Sequence, residues 1–168
     1  MRLYLIRHPR PLVAPGLCYG RLDVEAENPA AVATRLQACL PAGVPVWSSP
    51  LRRCLELAQA LHPAPKVDER LAEIDFGDWE GRAWDEIPRA EIDAWAADVA
   101  GYTPPGGESP RQLQARVLDF VASLAVDEAV VVTHAGVMRT LLAADHGLPP
   151  ERWYELEFAY GSLTVWQR

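Results

Sequence analysis

The sequence predicts an α/β fold, a three-layer α/β/α sandwich with a mostly parallel central sheet. Two observations carry this expectation. Short apolar runs at residues 3–6, 44–47, 130–133 and 163–166 have the length of strands, and segments with helical apolar spacing separate them. The order of strand, long loop, helix, strand, three helices, strand, helix and strand then places helices on both faces of one sheet. A chain of 168 residues, 49% hydrophobic, suits a single domain spanning residues 1–168 and is too short for two ordinary ones.

The elements follow in order. After the first strand, residues 9–27 form a long loop rich in Pro and Gly. Asn28-Pro29 is an N-cap followed by proline and opens a helix. Ser49-Pro50 repeats the device after the second strand, with Leu51, Leu55, Ala58 and Leu61 near one face. A further helix is expected over residues 84–99, and a second Gly/Pro-rich loop over 101–108. Ser109, Pro110 and Gln112 make a capping box ahead of Leu113, Val117, Phe120, Val121 and Leu124. The last helix covers residues 137–145 and is stopped by Gly147 and Pro149. Long loops in a compact domain tend to line functional sites, so both are expected there.

Composition excludes several classes of partner. Sixteen Lys and Arg against 23 acidic residues give a net charge of −7, with no footprint for nucleic acid, so any anion site is a local basic pocket. No apolar run approaches the roughly 20 residues that span a bilayer; neither a membrane nor an export signal is expected, and the location expected is cytoplasmic. Cys18, Cys39 and Cys54 have no short paired spacing and are expected to be reduced. Six positions after them stand Val24, Pro45 and Ala60, which removes the spacing of a cysteine-based phosphate loop.

Two histidines stand where strand patterns run out, His8 after Arg7 and His134 after Thr133. Ligands bind at such strand ends in open α/β sheets, so both can meet over one substrate. Pro9 biases His8 toward an extended backbone as the chain leaves the sheet, which lets Arg7 and His8 face one pocket. His134 opens Ala135-Gly136-Val137, a helix start whose free amides attract an anion. Arg52 and Arg53 sit in the first turn of a helix, where cations oppose its dipole unless an anion binds. Guanidinium groups clasp phosphate oxygens in a bidentate fork. Glu73, Asp75, Asp78 and Glu80 are candidates for a proton donor to a leaving alcohol, and spacing does not choose among them. His62 and His146 lie near helix C-termini and read as structural.

Five short motifs in order, Arg7-His8, Ser49-Pro50-Leu51-Arg52-Arg53-Cys54, the segment 71–81, Gly107-Glu108-Ser109 and Thr133-His134-Ala135-Gly136, resemble the histidine phosphatase superfamily, which includes cofactor-dependent phosphoglycerate mutases. The resemblance implies a phosphoglycerate mutase-like fold and a phosphohistidine intermediate on His8. It implies a phosphate pocket of Arg7, Arg53 and His134, with Glu73 as proton donor; Arg53 rather than Arg52 matches the family arginine. No metal or other cofactor is implied. The chain departs from the pattern at Pro9, Pro11 and Ala14, where the family usually has Gly, Thr or Ser, and Asn. Tyr19, Gly20 and Arg21 are candidate substrate contacts in the same loop.

The expected activity is metal-independent hydrolysis of a small phosphorylated metabolite. Residues 16–23 together with 76–81 look most like α-ribazole phosphatases, which remove the 5′-phosphate of a cobalamin precursor. A broad sugar-phosphate or nucleotide phosphatase, a phosphohistidine protein phosphatase and a non-catalytic phosphate-binding protein remain open as alternatives.

Overall fold

The computed structural model describes residues 1–168 and carries five strands and five α-helices. The strands are β1 (Arg2–Arg7), β2 (Val46–Ser48), β3 (Lys66–Val67), β4 (Glu128–Thr133) and β5 (Leu163–Gln167). The helices are α1 (Pro29–Gln37), α2 (Arg52–Leu61), α3 (Arg89–Ala97), α4 (Pro110–Ser123) and α5 (Ala135–Asp145). The sheet order is β3-β2-β4-β1-β5; only β5 runs antiparallel to its neighbour. This is the expected mostly parallel sheet.

Alternation along the central strands builds the three layers. Leu3, Leu5, Ala129 and Val131 face α4 and α5, packing on Leu113, Val117, Phe120 and Leu141. Ile6, Val130 and Val132 face α1 and α2, packing on Leu36, Cys54 and Leu57. Both faces of β4 are therefore buried, which explains its unbroken apolar run. A third cluster around Cys18, Trp79 and Ile87 gathers Phe76, Trp84, Trp95 and Tyr102 at one end of the sandwich. Cys18 and Cys54 are buried and unpaired, and burial pushes the Cys18 thiol up to about 12.

Two caps match the sequence expectation: Asn28 Oδ1 accepts from the Ala31 amide at 3.2 Å, and Ser109 and Gln112 form their reciprocal pair. Four local expectations are corrected. α2 starts at Arg52 behind Leu51, later than Ser49-Pro50 suggested; Ser49 Oγ accepts the Leu51 amide at 3.3 Å ahead of the helix and also meets His134. The helix expected over 84–99 is a 3-10 turn, Trp84–Glu86, followed by α3, because Pro88 holds Ile87 extended at ψ 134°. The second strand begins at Val46, since Pro45 has no amide to donate to the ladder, although its carbonyl accepts from Val130. α5 begins at Ala135, two residues before the expected start, with His134 extended at the N-cap. The exposed two-residue edge strand β3 was not expected; it is too short for any periodic signal.

Candidate active site

The parallel pairing of β1 with β4, in register from Arg2↔Glu128 to Arg7↔Thr133, makes the two strands end side by side. His8 and His134 are the next residues on each, and their ring centroids lie 5.1 Å apart. Both are buried, with 2% and 0% exposure. Pro9 cannot donate, yet its carbonyl lies 2.6 Å from His8 Nδ1 and accepts that proton. The bond orients the ring and leaves Nε2 without a protein partner at a cleft of about 220 Å³. Burial first, then the charges of Arg53 and Arg7, outweigh the Pro9 bond and hold the His8 pKa down at about 3. Burial and the same Arg53 charge also push His134 well below its ordinary value. Both imidazoles are neutral at physiological pH.

Three guanidinium groups surround the pair: Arg7 and Arg139 on the cleft wall, and fully buried Arg53 behind it. None has a carboxylate within 4.0 Å. Arg53 donates to the Gly20 and Leu22 carbonyls at 2.6 and 2.8 Å, and Arg7 donates to the Phe158 carbonyl. The Nε atoms of Arg7 and Arg53 are buried with no acceptor. Desolvating a cation without a counter-charge costs several kcal/mol, so this cluster is built to receive an anion.

The structure separates the four candidate carboxylates. Asp78 is exposed, and Asp75 accepts the Gly77 amide of its own turn. Glu80 accepts the amides of Gly20, Arg21, Leu22 and Phe76, and so anchors the loop that carries Tyr19. Glu73 alone lies on the cleft wall, its oxygens accepting from the Ile74 and Gly136 amides at 3.0 and 3.1 Å. The free amide at the start of α5 is therefore taken by the protein's own Glu73 carboxyl. A Cβ on Gly136 would overlap that carboxylate.

Tyr19 lines the cleft and touches the Tyr160 hydroxyl at 3.1 Å; Gly20 and Arg21 do not line it. Gly20 is buried against the Ile74 carbonyl, which an added Cβ would overlap. Gly20→Ala is expected to cost about 1–3 kcal/mol through overpacking, read as a lowered Tm; an unchanged Tm would contradict this. Arg21 turns toward Glu69 and Glu108 at 3.7 and 4.0 Å. The loop 101–108, expected at the site, buttresses it instead: the Glu108 amide donates to Asp75, and Glu108 and the Ala72 and Glu73 carbonyls accept from Arg116.

Sequence reasoning missed Tyr160, Arg139 and the partnership of Ser49 with His134 at 2.7 Å. Tyr160 stacks under Arg7 at 3.8 Å and lies 5.6 Å from His8. Its position three residues before β5, β1's antiparallel neighbour, carries no local signal. Arg139 follows His134 by five residues, and an exposed helical arginine reads the same in sequence.

The sequence family described as the histidine phosphatase superfamily (branch 1) matches residues 3–168. The chain is 32% identical to a glucosyl-3-phosphoglycerate phosphatase of Mycolicibacterium vanbaalenii, over 90% of this chain and 77% of that protein. It is 29% identical to the adenosylcobalamin/alpha-ribazole phosphatase of Escherichia coli, over 98% of this chain and 89% of that protein. The crystal structure of a phosphoglycerate mutase from Thermus thermophilus superposes with a TM-score of 0.74 at 36% identity, covering 86% of this chain and 84% of that one. With its two strand-end histidines and a cleft of unpaired arginines, the chain belongs to the histidine phosphatase superfamily and is a phosphatase.

Proposed function

We propose that the protein hydrolyses small phosphomonoesters, without a metal ion, through a phosphohistidine on His8. The observation that carries this is the His8 ring itself, neutral, tied at Nδ1 to Pro9 and open at Nε2 beside guanidinium groups that lack carboxylate partners. In the first step Nε2 attacks phosphorus, the bond to the leaving oxygen breaks, and Glu73 in its protonated form gives that oxygen its proton. In the second, water attacks the phosphohistidine, Glu73 takes the water proton, and the P–N bond breaks to release orthophosphate. Arg7, Arg53 and His134 meet the charge on the transferring group.

Glu73→Gln is expected to lower kcat for alkyl phosphates by about 10²- to 10⁴-fold and to change p-nitrophenyl phosphate turnover far less, because that leaving group needs no proton. Equal losses on both substrates would remove Glu73 from the donor role.

Within this reaction we propose the 5′-phosphate of α-ribazole phosphate as substrate. Near full-length similarity to the Escherichia coli phosphatase supports it. The test is a chelator-treated panel of α-ribazole 5′-phosphate, glucosyl-3-phosphoglycerate, 3-phosphoglycerate, nucleoside monophosphates and a phosphohistidine protein, compared by kcat/KM. Preference for another member would replace the substrate, and phosphate binding without any hydrolysis would favour a non-catalytic protein.

A further inference from the structure

A second hollow of about 320 Å³ opens beside the catalytic cleft, large enough to enclose a small organic group. The two share Ile74, Phe76, Trp84, Gly136 and Arg139 as a common wall, so a molecule bound at His8 can extend from one into the other. Beyond that wall the hollow is lined by Trp95, Trp153 and Tyr154. Trp84 and Trp95 stack at 6.0 Å and 18°, and Phe76 stands edge-on to Trp84 at 5.5 Å. Tyr154, 71% exposed, leaves a large apolar ring at the mouth. Arg139, half-buried in the shared wall, has its Nε bound to the Leu156 carbonyl, which fixes the plane of its guanidinium.

The geometry points to a substrate whose leaving group carries a flat aromatic ring, seated in this hollow between the tryptophans and the Arg139 guanidinium while its phosphate lies at His8. Aromatic walls and a planar cation favour a planar ring over an aliphatic chain of equal area, through stacking and cation–π attraction. α4 and α5 supply its inner wall through Leu113, Arg139 and Thr140, while its aromatic side comes from the segment around Trp84, from α3 and from the turn Pro150–Glu155. The inference rests on the phosphatase reading above.

Three alkyl phosphates of similar alkoxide leaving ability test it: 2-naphthylmethyl phosphate, cyclohexylmethyl phosphate and glycerol 1-phosphate. The naphthyl ester is expected to exceed the glycerol ester in kcat/KM by at least tenfold, with the cyclohexyl ester between them. Trp95→Ala and, as a surface change that leaves the aromatic cluster packed, Tyr154→Asp should each cut the naphthyl-to-glycerol ratio at least fivefold. Equal rates for all three esters in the wild type would overturn the inference and leave the phosphatase reading intact. So would a high ratio that neither variant moves. Absence of hydrolysis of every ester, with no acid-labile phosphoenzyme, would overturn both.

Discussion

His8→Ala is expected to lower kcat by about 10⁴-fold or more and to abolish the acid-labile phosphoenzyme, because in the proposed mechanism its Nε2 forms the bond to phosphorus. A rapid-quench experiment with a ³²P-labelled substrate reads the intermediate directly. Labelling retained in the variant would move the nucleophile elsewhere. The same residue predicts a pH signature. His8 is held near pKa 3 in the folded chain and takes a proton near its ordinary value of 6.5 when unfolded. The unfolded state therefore binds the extra proton between those values, so this contribution to stability is complete above pH 6.5 and declines as pH falls toward 3. His134 shifts in the same direction. The wild-type Tm should drop on acidification from pH 7.5 to 5, and His8→Ala should flatten that drop. Turnover should show no loss of the nucleophile on passing through pH 6.5, since the folded imidazole stays neutral there. A His8 imidazole that titrates near pH 6.5 by NMR would contradict its desolvated state.

Arg53 is expected to give the second largest effect, by two separable routes. Its guanidinium is fully buried, bonds two loop carbonyls, sits 5.5 Å from the Tyr19 ring centroid, and keeps Nε free behind His8. Arg53→Ala leaves the Gly20 and Leu22 carbonyls unpaired, at about 1–3 kcal/mol for each that water cannot reach, and loosens the Tyr19 loop. Arg53→Lys retains a cation but has no planar fork to reach both carbonyls and present a further donor. The lysine variant should therefore fold with a modest loss in Tm yet lose about 10²- to 10³-fold in kcat, the scale for one preorganised donor to a charged transition state. Weakened inhibition by inorganic phosphate should accompany it. Near wild-type turnover in Arg53→Lys would leave Arg53 with only its loop-anchoring role.

Much of the site is legible before folding because its residues stand at the ends of strongly patterned elements. Apolar runs that stop at His8 and His134, and a strand followed at once by Arg52 and Arg53, show through hydrophobic periodicity alone. Periodicity did not choose among neighbours; only the family resemblance singled out Arg53 and Glu73. Arg52 and Arg53 are adjacent, yet one is exposed and bridges to Glu25 and Glu56 while the other is sealed beneath the Tyr19 loop. Helical geometry turns consecutive residues about 100° apart, so contact with the sheet decides which is buried. Ser49 shows a related limit: its hydroxyl accepts the Leu51 amide as a residue before a proline can, but its second partner, a histidine from the end of β4, has no local signal.

The sequence alone determined the layered α/β class, the helix caps at Asn28 and Ser109, and the residue types available for phosphate chemistry. These depend on contacts within a few residues, where periodicity and capping operate. Tertiary structure decided what those residues do together. Parallel pairing of β1 with β4 set the two histidines 5.1 Å apart, and of the four candidate carboxylates the fold placed Glu73 alone on the cleft wall. It also brought Arg139 and Tyr160, from distant segments, to the surroundings of His8. Contacts between residues more than a hundred positions apart leave no periodic trace, because only strand register and the packing of helices on the sheet bring them into reach.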